Sequence, residues 1–238
     1  MSKNIFSFLH PKLPSTILLD TSFILNLTYE LSGYTSTSKY LDDCSKFTSR
    51  LIEERKEMYI SDWILNEVLY QVINIKIKEQ TDLINKWKKE EVEREKEKTK
   101  KREGVEFLTI EKGEKIKERI DKYRINPVDI YKMSPGVLSR IYPLLDNIYK
   151  HLKSLTHDRR LEESSFAIRE EALKLIKSKN MLPTDAYIIA TALVNKQIEA
   201  IATCDYRDFK RVHDLIPIYV PDKFLRSKRA KTSTKTTE

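Results

Sequence analysis

The sequence has only two cysteines, Cys44 and Cys204, in 238 residues, and they form no Cys-x-x-Cys pair. This excludes a zinc ribbon and argues against a disulfide framework. The four histidines are scattered and form no recognisable metal or catalytic cluster. No apolar run approaches the ~20 residues that span a bilayer, and the N-terminus has no signal-peptide pattern. We therefore expect a soluble cytoplasmic protein without membrane association.

Net positive charge is also small outside one segment. The net charge is +8, but the stretch from Lys223 to Glu238 contains six basic residues and one acid, which leaves +3 for the rest of the chain. A basic tail is compatible with binding to phosphate groups. A solubilising or disordered tail is an equally good explanation, and we expect disorder at 223–238 because no apolar anchor follows Leu225.

Short apolar runs predict a set of buried strands. The last of them contains Pro217, which lacks an amide donor and therefore indicates an edge strand. Residues 1–14 contain two prolines and suggest a loose lead-in. The predicted strands are 17–20, 58–60, 199–203 and 216–221.

Helices are predicted between these strands, which favours an α/β fold with a central parallel sheet and right-handed crossovers. Ser61 is a suitable N-cap, and Pro183 suits the first position of a helix. Helices are expected over 23–27, 39–56, 138–155 and 161–178, and from Ser61 and Pro183 onward.

The middle of the chain has a different composition. Between Lys86 and Glu103, 15 of 18 residues are charged, which is compatible with a solvated helical arm or with disorder. Apolar residues between Leu138 and Leu155 then recur at helical spacing, which predicts either a helix hairpin with this arm or a dimer seam. We expect core segments at 1–77 and 159–222, separated by a charged helical insertion at 78–158.

Four acids fall where such a fold would bring them together. Asp20 and Asp205 end strands, while Glu67 and Asp185 lie near the starts of helices. In a parallel sheet these positions share the carboxyl edge, which is the usual ligand-binding edge. Because adjacent carboxylates repel one another, the cluster predicts a hard divalent cation, Mg²⁺ or Mn²⁺, and hydrolysis of a phosphodiester. Four independent structural acids are the alternative.

Each acid has an expected role. Asp20 and Asp185 are expected to ligate the metal directly, and Asp205 directly or through water. Glu67 is expected to position the metal or the attacking water. Asp208, Thr203 and Ser22 are additional candidates, although each also has a simple turn or capping explanation.

The motifs Thr203-Cys204-Asp205-Tyr206-Arg207-Asp208-Phe209 and Asp185-Ala186-Tyr187-Ile188-Ile189-Ala190-Thr191-Ala192 resemble the PIN-domain ribonucleases, including VapC-type toxins. The resemblance covers about 15–72 and 160–221. It implies a three-layer α/β/α core, a metal-dependent endoribonuclease activity and the same acidic roles.

The resemblance also implies RNA as the substrate, and it leaves open a small antitoxin partner and a homodimer. The long insertion departs from the short chains of the toxins, so an RNA-processing nuclease is a further interpretation. The alternatives are a non-catalytic PIN-like module for RNA binding or assembly, and a structure-specific DNA nuclease.

Overall fold

A computed structural model describes residues 4–28, 40–76, 93, 136–157, 159–161 and 165–225. The chain divides into two compact units, one formed by Met1–Leu69 with Leu144–Glu238 and the other by Tyr70–Pro143. The charged arm at 86–103 lies outside the described residues except for position 93, and the tail lies outside them from 226 onward. The predicted limits of the insertion, 78 and 158, therefore stay predictions.

The first unit is built on a parallel sheet, which confirms the predicted α/β class and is compatible with a three-layer arrangement. The strand order is β1-β6-β5-β2-β3-β4, and every pairing is parallel. The two-residue β4 extends a principal sheet of five strands. The strands are β1 Ile5–Ser7, β2 Thr16–Leu19, β3 Glu57–Ser61, β4 Arg160–Leu161, β5 Ala200–Ala202 and β6 Ile218–Val220.

Helices alternate with these strands, and those that follow Ser61 and begin at Pro183 start at the predicted signals. The side chains of Asp20, Ser61 and Ser165 each accept a backbone amide in the first turn of a helix, while Pro183 opens another. The helices are α1 Thr21–Leu27, α2 Leu41–Glu53, α3 62–76, α4 Gly136–Leu155, α5 Phe166–Lys179, α6 Pro183–Val194 and the short α7 Tyr206–Phe209.

The hydrophobic core is built around β2, the central strand of the sheet. Ile17, Leu18 and Leu19 of β2 are fully buried, as a strand covered on both faces requires. Hydrogen-bonded neighbours flank β2 on both sides, with Leu18 opposite Tyr59 of β3 and Ile201 of β5. The sheet order therefore places the ends of β5, β2 and β3 next to one another.

The N-terminal segment corrects the sequence prediction. Residues 5–7 are not a loose lead-in but form the edge strand β1, paired with β6. Phe8 follows β1 and packs against Phe47 of α2 and Phe23 of α1, with ring centroids 4.4 and 5.4 Å apart. The packing of Phe8 against these rings holds the N-terminal segment in place. Such a contact cannot be predicted from hydrophobic periodicity, because the segment is too short to show any.

The last strand is likewise not an edge strand, contrary to the prediction. Strand β6 lies between β1 and β5, and Pro217 precedes it. Pro217 therefore needs no amide in the ladder, and its carbonyl accepts a hydrogen bond from Ile201 at 3.0 Å. Proline here limits the start of an internal strand rather than marking an edge.

Two helix predictions also change. The helix expected from 161 begins at Phe166, because β4 occupies Arg160–Leu161 and Ser165 is the N-cap. The sequence pattern also places Leu41, Phe47, Leu51 and Ile52 on the apolar side of the helix predicted over 39–56, but Ile52 of α2 is exposed. In α4, Ile148 and Leu152 of the predicted seam are fully buried. The choice between a helix hairpin and a dimer seam stays a prediction.

Among the described residues, no helix combines the length and apolar character needed to cross a bilayer.

Leu18→Ala is expected to lower the free energy of unfolding by about 2–5 kcal/mol, because it leaves a cavity in the central strand. The matched control is Leu9→Ala, since Leu9 is 57% exposed and its truncation should change stability by about 0.5 kcal/mol or less. Chemical denaturation of both variants measures the difference. Equal effects would contradict the placement of β2 at the centre of the core.

Candidate metal centre at the carboxyl edge of the sheet

Asp20 is the most enclosed acid of the site. It follows β2 directly, is 3% exposed and caps α1. One carboxylate oxygen, Oδ2, accepts hydrogen bonds from the Ser22 hydroxyl at 2.6 Å, the Thr203 hydroxyl at 2.9 Å and the Ser22 amide at 3.2 Å. Burial raises the pKa of Asp20 from 3.8 to about 6, and these hydrogen bonds partly oppose that rise. The carboxylate is thus held in one orientation.

Ser22 and Thr203 link Asp20 to the loop after β5. Their hydroxyl oxygens lie 3.1 Å apart. The Ser22 hydroxyl also accepts the Cys204 amide, and the Thr203 hydroxyl accepts the Asp205 amide, both at 2.9 Å. Ser22 and Thr203 therefore orient the Asp20 carboxylate and also accept backbone amides in the turn. They combine the site role and the turn role that the sequence left open for them.

Glu67 lies in the second turn of α3 and is half-buried. Its Oε2 accepts a hydrogen bond from the Thr21 hydroxyl at 2.7 Å. Thr21 is the residue after Asp20, so the acid on α3 is joined to the end of β2. This contact spans 46 residues of sequence and brings Glu67 to the same edge as Asp20.

Asp185 shows that the acids share one electrostatic environment. It lies in the first turn of α6 and is half-buried. Its pKa is raised from 3.8 to about 7, first by burial and then by the negative charges of the other acids. Those acids, in decreasing order of effect, are Asp20, Asp205, Asp208 and Glu67.

Asp205 and Asp208 have different surroundings. Asp205 accepts the Asp208 amide at 3.3 Å and so caps α7. Asp208 forms an ion pair with Arg211 at 3.4 Å, in which neither side chain is fully buried. Because Asp208 already has a cationic partner, Asp205 is the better candidate for a metal ligand. Arg211 was missed in the sequence, although its i,i+3 spacing from Asp208 is a recognisable signal.

The chemistry of the donors fits a hard cation better than zinc. Every acid of the cluster offers oxygen, which suits Mg²⁺ or Mn²⁺. Among the described residues, however, no three His, Cys, Asp or Glu side chains are close enough to hold a metal ion as they stand. The acids interact through their charges at longer range, so metal binding would require their side chains to draw together.

A pair of buried thiols lies beside this edge. The sulfur atoms of Cys44 on α2 and Cys204 are 3.4 Å apart, and both cysteines are free. The hydrogen bond with Cys44 and burial raise the pKa of the Cys204 thiol. A thiol in such surroundings is unreactive, so we assign the pair a packing role. No local sequence signal joins two residues 160 positions apart.

Comparisons of the chain with family models, with curated proteins and with solved structures give no match. The arrangement of the acids is therefore the basis for the function proposed below.

The raised pKa of Asp20 predicts a pH effect on stability. In the metal-free protein the folded state binds the proton of the Asp20 carboxyl more tightly than the unfolded state does. The contribution of Asp20 to the free energy of unfolding therefore falls as the pH rises from about 4 to about 6. At about 1.4 kcal/mol per pKa unit, the shift corresponds to about 3 kcal/mol. Asp20→Asn should therefore gain stability relative to wild type over this range.

Chemical denaturation in EDTA at pH 4, 5, 6 and 7 measures this difference. The substitution also removes a charge that raises the pKa of Asp185, which acts in the same direction. Parallel pH profiles for the two proteins would contradict the enclosed position of Asp20.

Proposed function

We propose that this chain is a Mg²⁺- or Mn²⁺-dependent endoribonuclease with a PIN-like core. The observation that best supports this function is the electrostatic coupling of Asp185 to four other acids at the carboxyl edge of the sheet. Independent structural acids would not be expected to act together on the pKa of Asp185 at a single edge of the sheet. A cation that neutralises them would relieve this repulsion.

Asp20 and Asp185 would hold the metal directly, and Asp205 directly or through water. When bound, a divalent cation lowers the pKa of a coordinated water and stabilises charge on the scissile phosphate. The chain itself supplies the orientation of its ligands. Ser22 and Thr203 fix the Asp20 carboxylate, and Thr21 holds Glu67.

The residues around Asp185 also set the pH range of metal binding. The pKa of Asp185 is about 7, so near neutral pH a proton and a cation compete for its carboxylate. Glu67, whose carboxylate accepts a hydrogen bond from the Thr21 hydroxyl, would orient a water or the cation. Activity is therefore expected to rise between about pH 6 and 8.

The PIN-like assignment rests on the two sequence motifs and on the parallel sheet that places their acids at one edge. RNA as the substrate follows from this resemblance, as do the candidate antitoxin partner and homodimer. These assignments are part of the proposal. A toxin and an RNA-processing nuclease would use the same site.

Asp185→Asn and Asp20→Asn are each expected to abolish cleavage of a mixed structured RNA in Mn²⁺, because each removes a ligand charge. EDTA should abolish wild-type cleavage. Glu67→Gln is expected to reduce the rate by roughly 10- to 100-fold, as the loss of a supporting polar group around a metal typically does. Gel analysis of end-labelled RNA measures the cleavage.

The matched control is Asp62→Asn, because Asp62 is an exposed acid at the start of α3, the helix that also carries Glu67. It should retain wild-type activity. Cleavage that persists in Asp185→Asn or in EDTA would contradict the proposed site. Absence of cleavage by folded wild type on several RNAs would instead favour the non-catalytic binding module.

A further inference from the structure

Two aromatic side chains stack at the start of the helices that carry the acids. The rings of Trp63 and Tyr187 are 5.4 Å apart at their centroids and inclined by 30°. Trp63 is nevertheless 46% exposed, and Tyr187 is half-buried. A large indole that packs on a neighbouring ring and keeps much of its surface in water forms an exposed platform and is not part of the core.

The platform lies near the starts of α3 and α6, the two helices that carry Glu67 and Asp185. Trp63 is in the first turn of α3, four residues before Glu67, so the two side chains share one face of the helix. Helical side chains lean toward the N-terminus, which places Trp63 nearer the carboxyl edge than Glu67. Tyr187 is two residues after Asp185 in α6, so the two side chains lie on different faces of that helix. The stack therefore joins the two helices that contribute Glu67 and Asp185.

The charge of the site creates a need for such a platform. Five carboxylates repel a phosphodiester, and a bound cation offsets this only at the phosphate that it contacts. Affinity for the rest of the substrate must then come from groups that do not depend on phosphate charge. Stacking of a base on an aromatic side chain meets this requirement and tolerates any base.

We propose that Trp63, supported by Tyr187, stacks on an unpaired nucleobase next to the phosphate positioned at the acid cluster. This deepens the proposed function and rests on it. Trp63 is in this account a substrate-binding residue that selects nucleotides whose base is unstacked and accessible. A paired base would be unable to reach the indole while its strand lies at the acids.

The first experiment compares cleavage by wild type, Trp63→Ala and Trp63→Phe in Mn²⁺. The substrates are a single-stranded RNA with one cleavage site and the same RNA lacking one base beside that site. Trp63→Ala should raise KM for the intact RNA roughly 5- to 150-fold, the range for one base–aromatic stack, with little change in kcat. Trp63→Phe should restore most of the affinity.

The base-free RNA provides the specific readout. Wild type should bind it as weakly as Trp63→Ala binds the intact RNA, and the substitution should add no further loss. The control variant is Phe166→Ala, which removes an aromatic side chain that is 79% exposed on α5. It should match wild type on both substrates.

A second experiment does not depend on catalysis. The chain has two tryptophans, Trp63 and Trp87, so Trp87→Phe leaves Trp63 as the only indole. In an Asp185→Asn, Trp87→Phe background, the single-stranded RNA should quench the fluorescence of Trp63. A fully paired duplex of the same sequence should quench it much less.

The outcomes separate the two proposals. If wild type cleaves RNA but Trp63→Ala leaves KM unchanged and Trp63 fluorescence is not quenched, the stacking proposal is overturned and the nuclease stands. If no RNA is cleaved but unpaired RNA quenches Trp63, the nuclease fails while the base platform stands. Quenching by an apolar helical peptide but not by RNA would overturn the platform in favour of a protein partner.

Discussion

The structure depends most on one buried carboxylate at the end of its central strand. Asp20 is almost fully enclosed, and removing such a group from water is costly unless hydrogen bonds or opposite charge compensate. Ser22 and Thr203 supply the hydrogen bonds, and these also tie β2 to the loop after β5. The elevated pKa of Asp20 shows that the compensation is incomplete. A carboxyl whose pKa is raised by burial in this way is typical of functional sites.

The parallel sheet explains why the other acids lie at the same edge as Asp20. Adjacent parallel strands end at one edge, and α6 must begin at that edge because its other end leads into β5. Asp205 follows β5, and Glu67 follows β3 through α3. The arrangement needs no long loop to bring distant residues together. It also places the start of α3, which carries Trp63, and the start of α6 at the same edge of the sheet as Asp20.

The sequence predicts this edge well because its signals are local. A continuous apolar run predicts β2, and Asp20 is the residue that follows it. Ser61 and Pro183 predict the starts of α3 and α6. Other features depend on contacts between distant segments. Strand β1 is three half-buried residues fixed by the packing of Phe8, and β6 becomes internal only because β1 pairs with its far side. The Cys44–Cys204 contact and the partnership of Thr21 with Glu67 likewise have no pattern along the chain.

The central claim is that these acids form one binding site for a divalent cation. Binding of Mn²⁺, followed by electron paramagnetic resonance at pH 7.5 in wild type, Asp20→Asn, Asp185→Asn and Asp62→Asn, tests it most directly. The account predicts saturable binding to wild type and Asp62→Asn, and an affinity at least about 10-fold lower in the Asp20 and Asp185 variants. Saturable binding that neither substitution weakens, or no binding to folded wild type, would contradict it.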